Sequence, residues 1–126
     1  MSFSNFLETE ILDHVFGGSA YTAPTTKYLA LYTATPGETG GGTEVSGTAY
    51  VRKAVAFTTS GNTTSNTSAV EYPTAGASWG TVTSVGVFDA ATSGNLMAYA
   101  TLSSSKAIDT GDVFRVPAAD LDITLD

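Results

Sequence analysis

No cysteine occurs among the 126 residues, so no disulfide staples the fold, and neither thiolate catalysis nor cysteine-ligated zinc is open to it. Charge is scarce as well. Only 13% of residues are charged, roughly half the usual share, which leaves the surface to hydroxyls and backbone. Basic residues are fewest: Lys27, Arg52, Lys53, Lys106 and Arg115 stand against twelve acids, for a net charge of -7. They do not cluster beyond one adjacent pair, and Arg52 and Lys53, as neighbours on a predicted strand, point to opposite faces. A phosphate-binding surface needs the reverse balance, so nucleic acid is not an expected partner. No apolar run approaches the roughly 18 residues of a membrane span, so no membrane partner is expected either. The N-terminus has no basic stretch followed by an apolar core, and the chain is expected to be soluble and to start in the cytoplasm. Asn62-Thr63-Thr64 and Asn66-Thr67-Ser68, which match glycosylation acceptors, are accordingly read as polar loop.

What is present begins with one amphipathic segment. Phe3, Leu7, Ile11 and Val15 recur every four residues with Phe6 beside them, and the pattern stops at Gly17-Gly18. Ser4 suits the N-cap, Glu8 and Glu10 lie toward the positive end of the helix dipole, and Gly17 suits a left-handed C-terminal position. A helix from about residue 4 to about residue 16 follows. Its apolar stripe must be buried, either on the chain's own sheets or on a neighbouring subunit. His14, the only histidine, lies on this helix and is read as a surface or interface residue.

Everything after reads as short strands between Gly, Ser, Thr and Asn. Lys27 to Thr33 alternates leucines and tyrosines, with both faces partly buried. Ala34 to Gly47, with its run Gly40-Gly41-Gly42, is expected to be an exposed loop or arm; no Lys-Ser/Thr and no helix follows it, so a P-loop is excluded. Tyr50 to Phe57 reads as one strand with Val51, Val55 and Phe57 on one face, and Thr58 to Thr67 as a loop. A short strand at Ala69 to Tyr72 ends at Pro73. Thr81 to Asp89 and Asn95 to Leu102 form an antiparallel hairpin at the centre of a sheet, bent at Ser93-Gly94, with Trp79 packed at its entrance. Lys106 to Ile108, a turn at Asp109 to Asp112, Val113 to Val116, and a half-buried terminal strand carrying Leu121, Ile123 and Leu125 complete the chain. The length suits a single domain spanning residues 1–126. The pattern predicts an all-β fold: a two-sheet antiparallel sandwich, jelly-roll or Ig-like, of about seven or eight strands with one short N-terminal α-helix.

The opening Met1 to Glu8 with Ile11 to Gly18, Tyr28 to Thr33, Ser78-Trp79-Gly80-Thr81-Val82-Thr83, Val87 to Leu96 with Ala98-Tyr99, and Leu121 to Asp126 resemble small tailed-bacteriophage proteins labelled phage tail fibre proteins. The resemblance spans nearly the whole chain. It implies a non-enzymatic structural protein of the virion, either a capsid decoration or cement protein or a short tail-fibre component. The partners it implies are copies of the chain itself, a homotrimer foremost, and the major capsid protein or tail proteins of the phage. No cofactor and no metal are expected.

Candidate partner contacts are the helix stripe Phe3, Phe6, Leu7, Ile11 and Val15, together with Pro36, Glu38 and Glu44 in the glycine-rich arm. The alternative function is a receptor- or carbohydrate-binding module at a fibre tip, which needs exposed aromatics beside acids; here most aromatics fall in strand patterns. Asp109-Thr110-Gly111 matches the aspartic-protease triplet, but it stands near the C-terminus and is followed at once by Asp112, which makes a hairpin turn of it. Asp120, Asp122 and Asp126 are too spread along a strand to chelate one calcium ion, and read as edge-strand acids.

Overall fold

The computed structural model describes Met1–Asp126. Its strands, in chain order, are β1 (Ser2–Phe3), β2 (Lys27–Ala34), β3 (Thr43–Glu44), β4 (Lys53–Val55), β5 (Phe57–Ser60), β6 (Thr63–Asn66), β7 (Val70–Glu71), β8 (Gly80–Phe88), β9 (Leu96–Ile108), β10 (Arg115–Val116) and β11 (Asp122–Thr124). Helix α1 (Asn5–Leu12) follows β1 and runs into a π-helical turn at Asp13–Gly17.

The longest strands, β2, β8 and β9, form the middle of a six-stranded antiparallel sheet ordered β1-β9-β8-β2-β3, with β4 also paired to β2. Opposite it lie a three-stranded sheet, β11-β6-β5, and a two-stranded one, β10-β7. Leu29, Leu31, Val85, Val87 and Met97 of the large sheet meet Val70, Tyr72, Phe114, Val116 and Leu121 in one buried cluster, with Phe57, Ile123 and Leu7 packed at its margin. The fold is thus an open antiparallel β-sandwich. Its second layer is two small sheets plus the helix instead of one continuous sheet, and four of its eleven strands are only two residues long, which is why seven or eight were legible.

Strand β2 is buried on both faces for a physical reason. Leu29 and Leu31 enter the main core, while Ala30 and Tyr32 join Phe88 and Leu96 in a small cluster on the far face. The β8–β9 hairpin forms as expected, with Ser93 and Gly94 in positive φ at its bend. β9 runs on to Ile108, absorbing the segment read separately at Lys106 to Ile108. Between the pairs Ser84–Thr101 and Val82–Lys106 it carries extra residues, a wide bulge that accommodates Ser103-Ser104-Ser105. Asp109 to Asp112 is a turn: the Asp109 amide donates to Asp112 Oδ2 at 2.9 Å.

Several local expectations are corrected. Tyr50 to Phe57 is not one strand; the chain leaves the large sheet after β4 and enters the three-stranded sheet at β5, so Ala56 marks a change of layer. Val51 consequently lies outside any strand and is exposed. Thr58 to Thr67 is not a loop but most of the β5–β6 hairpin, its threonines paired side by side as Thr58–Thr67 and Thr59–Thr64. The glycine-rich arm folds back, pairing β3 with β2 and burying Val45. Gly18, not Gly17, takes the left-handed position after the helix, at φ 79°. The terminal strand is only β11: Leu121 just before it is buried, Ile123 within it is half-buried, and Leu125 just after it is exposed.

Candidate interaction face

The helix is fastened at its start. Ser4 is almost wholly buried; its hydroxyl donates to the Leu96 carbonyl and accepts from the Leu7 amide at 3.2 Å, and its own amide donates to the Met97 carbonyl at 2.8 Å. The Asn5 amide donates to the Glu38 carbonyl at 3.0 Å, so the first turn is held by β9 and by the β2–β3 arm. Phe3 and Leu7 pack at the margin of the core, and Phe6 meets Tyr21 edge to face with 6.3 Å between ring centroids.

The far end is different. The π-turn hydrogen-bonds i to i+5 instead of i to i+4, so Val15 and Phe16 come off the line set by Leu7. Ile11, Leu12, Val15 and Phe16 are all exposed, Phe16 to 83% and Val15 to 60%. The end is nonetheless ordered: Gly18 turns the chain, the Ser19 amide donates to the Asp13 carbonyl at 3.1 Å, and the Tyr21 amide donates to His14 Nδ1 at 3.0 Å. His14 therefore acts as a tie between the tip and the returning connector. Burial, with smaller effects from Asp89 and Glu10, raises the Tyr21 hydroxyl pKa, so this ring stays neutral beside the helix. The end of α1 and the π-turn thus carry four exposed apolar side chains.

Beside the tip runs a groove of about 340 Å³ between the helix and the three-stranded sheet. Leu7, Ile11 and Tyr21 form one wall, Phe57, Thr59 and Ile123 the other, with Met97 and Ala98 in the lining and Lys27 among its residues. The groove and the tip share Ile11, so they make one apolar surface.

The family model of podophage GP4 fiber I protein gp80 matches residues 2–124. The chain belongs to this fibre protein family. No curated protein matches it. Membership makes it a structural protein of the phage tail-fibre type and a component of the virion, in agreement with the resemblance carried by the helix, the Trp79 segment and the β8–β9 hairpin.

In this fibre-family chain the residues read as partner contacts separate into three groups. Phe3 and Leu7 are half-buried against the chain's own core and Phe6 is half-buried against Tyr21, whereas Ile11 and Val15 are exposed. Pro36, in the β2–β3 arm, is buried within the fold. Glu38 is exposed, next to the helix start. Glu44 faces inward: Arg52 Nη2 and Nε donate to its two carboxylate oxygens at 2.8 and 2.9 Å, and the Tyr50 hydroxyl donates to it at 2.8 Å. Burial alone would raise the Glu44 pKa, but the hydrogen bonds and charge of Arg52, with the Tyr50 hydrogen bond, outweigh it and hold the carboxyl below its ordinary value. Arg52 lies 3.7 Å above the Phe88 ring and also donates to the Ala90 and Ser93 carbonyls, tying the arm to the β8–β9 bend.

Leu12 and Phe16 were missed by the periodic stripe because they lie off it. Their signal was present: two large apolar residues out of phase, just before a glycine pair. Three of the aromatics, Tyr50, Tyr72 and Trp79, pack together in the core. Trp79 is buried, its indole N–H donating to the Thr48 carbonyl at 2.9 Å, and it packs edge to face on Tyr50 and Tyr72.

Proposed function

We propose that this chain is a short tail-fibre component that assembles as a small closed homo-oligomer, a trimer, on the outer surface of the phage particle. It stabilises that structure through protein–protein contacts and carries out no reaction. The observation that carries the reading is the exposed apolar tip, Ile11, Leu12, Val15 and Phe16, on a helix whose other end is bolted to the sheet. A tip held this firmly loses little conformational entropy when it docks. Each large side chain that becomes covered contributes roughly 1.5 to 3 kcal/mol before ordering costs, and copies repeated around an axis add these contributions without new chemistry. A contact in which the tip of one copy enters a receiving face that is not itself a tip is head-to-tail, and stays finite only when the ring closes.

The test is the mass of the purified chain by native mass spectrometry and light scattering over a range of concentrations. Three copies are expected, and the double variant Val15→Ser, Phe16→Ser is expected to remain monomeric with an unchanged circular dichroism spectrum and to melt at the temperature of wild-type chain diluted until it dissociates. A wild-type chain that stays monomeric at high concentration would overturn the reading, as would a two-copy assembly for the trimer. Labelled antibody bound to intact particles locates the protein, and absence of label at the tail would overturn the fibre position.

A further inference from the structure

We infer that the receiving face is the groove beside the helix, and that the Phe16 tip of one copy seats in the groove of the next. This rests on the self-association proposed above and names the surface that self-association uses. Three observations lead to it. The groove has a volume of about 340 Å³ and is lined mainly by apolar side chains, Phe57, Met97, Ala98 and Ile123 among them, enough room for a phenyl ring with a branched neighbour. It is continuous with the tip through Ile11, so docking covers tip and groove together and leaves no separate apolar strip in water.

Charge supplies the third observation and favours a second copy as the occupant. Lys27 belongs to the groove lining and forms no ion pair in its own chain; the ion pairs present are Arg52 with Glu44 and Arg115 with Glu71. The helix that ends in the tip carries Glu8, Glu10 and Asp13, and none of these is paired. A tip from another copy therefore brings carboxylates to a lone ammonium while its apolar residues enter the groove. Opposite charge at the rim fixes orientation and speeds encounter, and the apolar centre holds the contact.

The experiment places a photoreactive benzoylphenylalanine at position 16 in unlabelled chain, mixes it with isotope-labelled wild-type chain, irradiates, and maps the adducts by mass spectrometry. The inference expects adducts on the labelled chain within Phe57–Thr59, at Met97 or at Ile123. In parallel, Lys27→Glu is expected to raise the dissociation constant of the assembly by about tenfold, the loss of one contacting charge pair and its replacement by repulsion, while Lys106→Glu, the same change in net charge away from the groove, leaves it within about twofold. An assembly of normal mass whose adducts fall outside the groove, or that responds equally to the two lysine variants, would overturn the groove assignment and leave self-association standing. A chain that stays monomeric throughout would overturn both.

Discussion

At the scale of single residues, the fold is specified by polar atoms that find partners inside an apolar core. Tyr72 is 2% exposed, its hydroxyl donates to the Leu29 carbonyl, and burial drives its pKa well above the ordinary tyrosine value. Tyr72→Phe is expected to cost about 1 kcal/mol in urea unfolding with little change in the m-value. Trp79→Ala removes the largest core side chain and is expected to cost about 3 to 5 kcal/mol in the same measurement. Gly47 has no room for a side chain because an added Cβ would overlap the Trp79 indole; Gly47→Ala is expected to lower the melting temperature even though its backbone conformation is ordinary. Glu44 gives the pH dependence. Its folded pKa lies below the unfolded value, so its contribution is present at neutral pH and is lost as pH falls through the folded value. The melting temperature of the wild type is therefore expected to exceed that of Glu44→Gln at neutral pH, and the gap to close as pH falls through the lowered folded pKa of Glu44. A gap that stayed constant down to acid pH would show that the Arg52 pair does not carry it.

At the scale of elements, the helix behaves as two pieces joined end to end. Its first turn is part of the sandwich through Ser4, and Ser4→Ala is expected to destabilise the protein by about 1 to 3 kcal/mol, because both the cap and a buried partner of the Leu96 carbonyl are lost. Its last turn contributes little to the monomer. Phe16→Ser is expected to leave monomer stability within about 0.5 kcal/mol by chemical denaturation, since the side chain is 83% exposed. The contrast between these two variants separates the two ends of the segment: Phe3 and Leu7 pack on the chain's own core, and Ile11, Leu12, Val15 and Phe16 are exposed. The same reasoning explains the β4–β5 junction. The alternation from Tyr50 to Phe57 is continuous in sequence, but Val55 serves the large sheet and Phe57 the small one, and periodicity carries no mark of a change of partner.

At the scale of the whole molecule, a virion component of the fibre family draws its stability from a two-layer core without disulfides and presents a surface poor in charge, suited to contact with other protein. Local signals in the sequence determined the β class and the helix by hydrophobic period, the cap by the Ser4 hydroxyl, the β8–β9 hairpin by its bend at Ser93-Gly94 and the packing of Trp79 by its apolar size. Only the tertiary structure decided where the chain crosses between layers, that the threonines after Phe57 pair as a hairpin, that Pro36 and Glu44 turn inward, and that the apolar stripe is covered at Leu7 and bare at Phe16. Those outcomes depend on contacts between residues far apart in sequence: Ser4 with Leu96, Glu44 with Arg52, Asp122 with Ser65. A linear pattern says that a side chain seeks cover, and the packing of distant segments determines whether its own chain has any left to give.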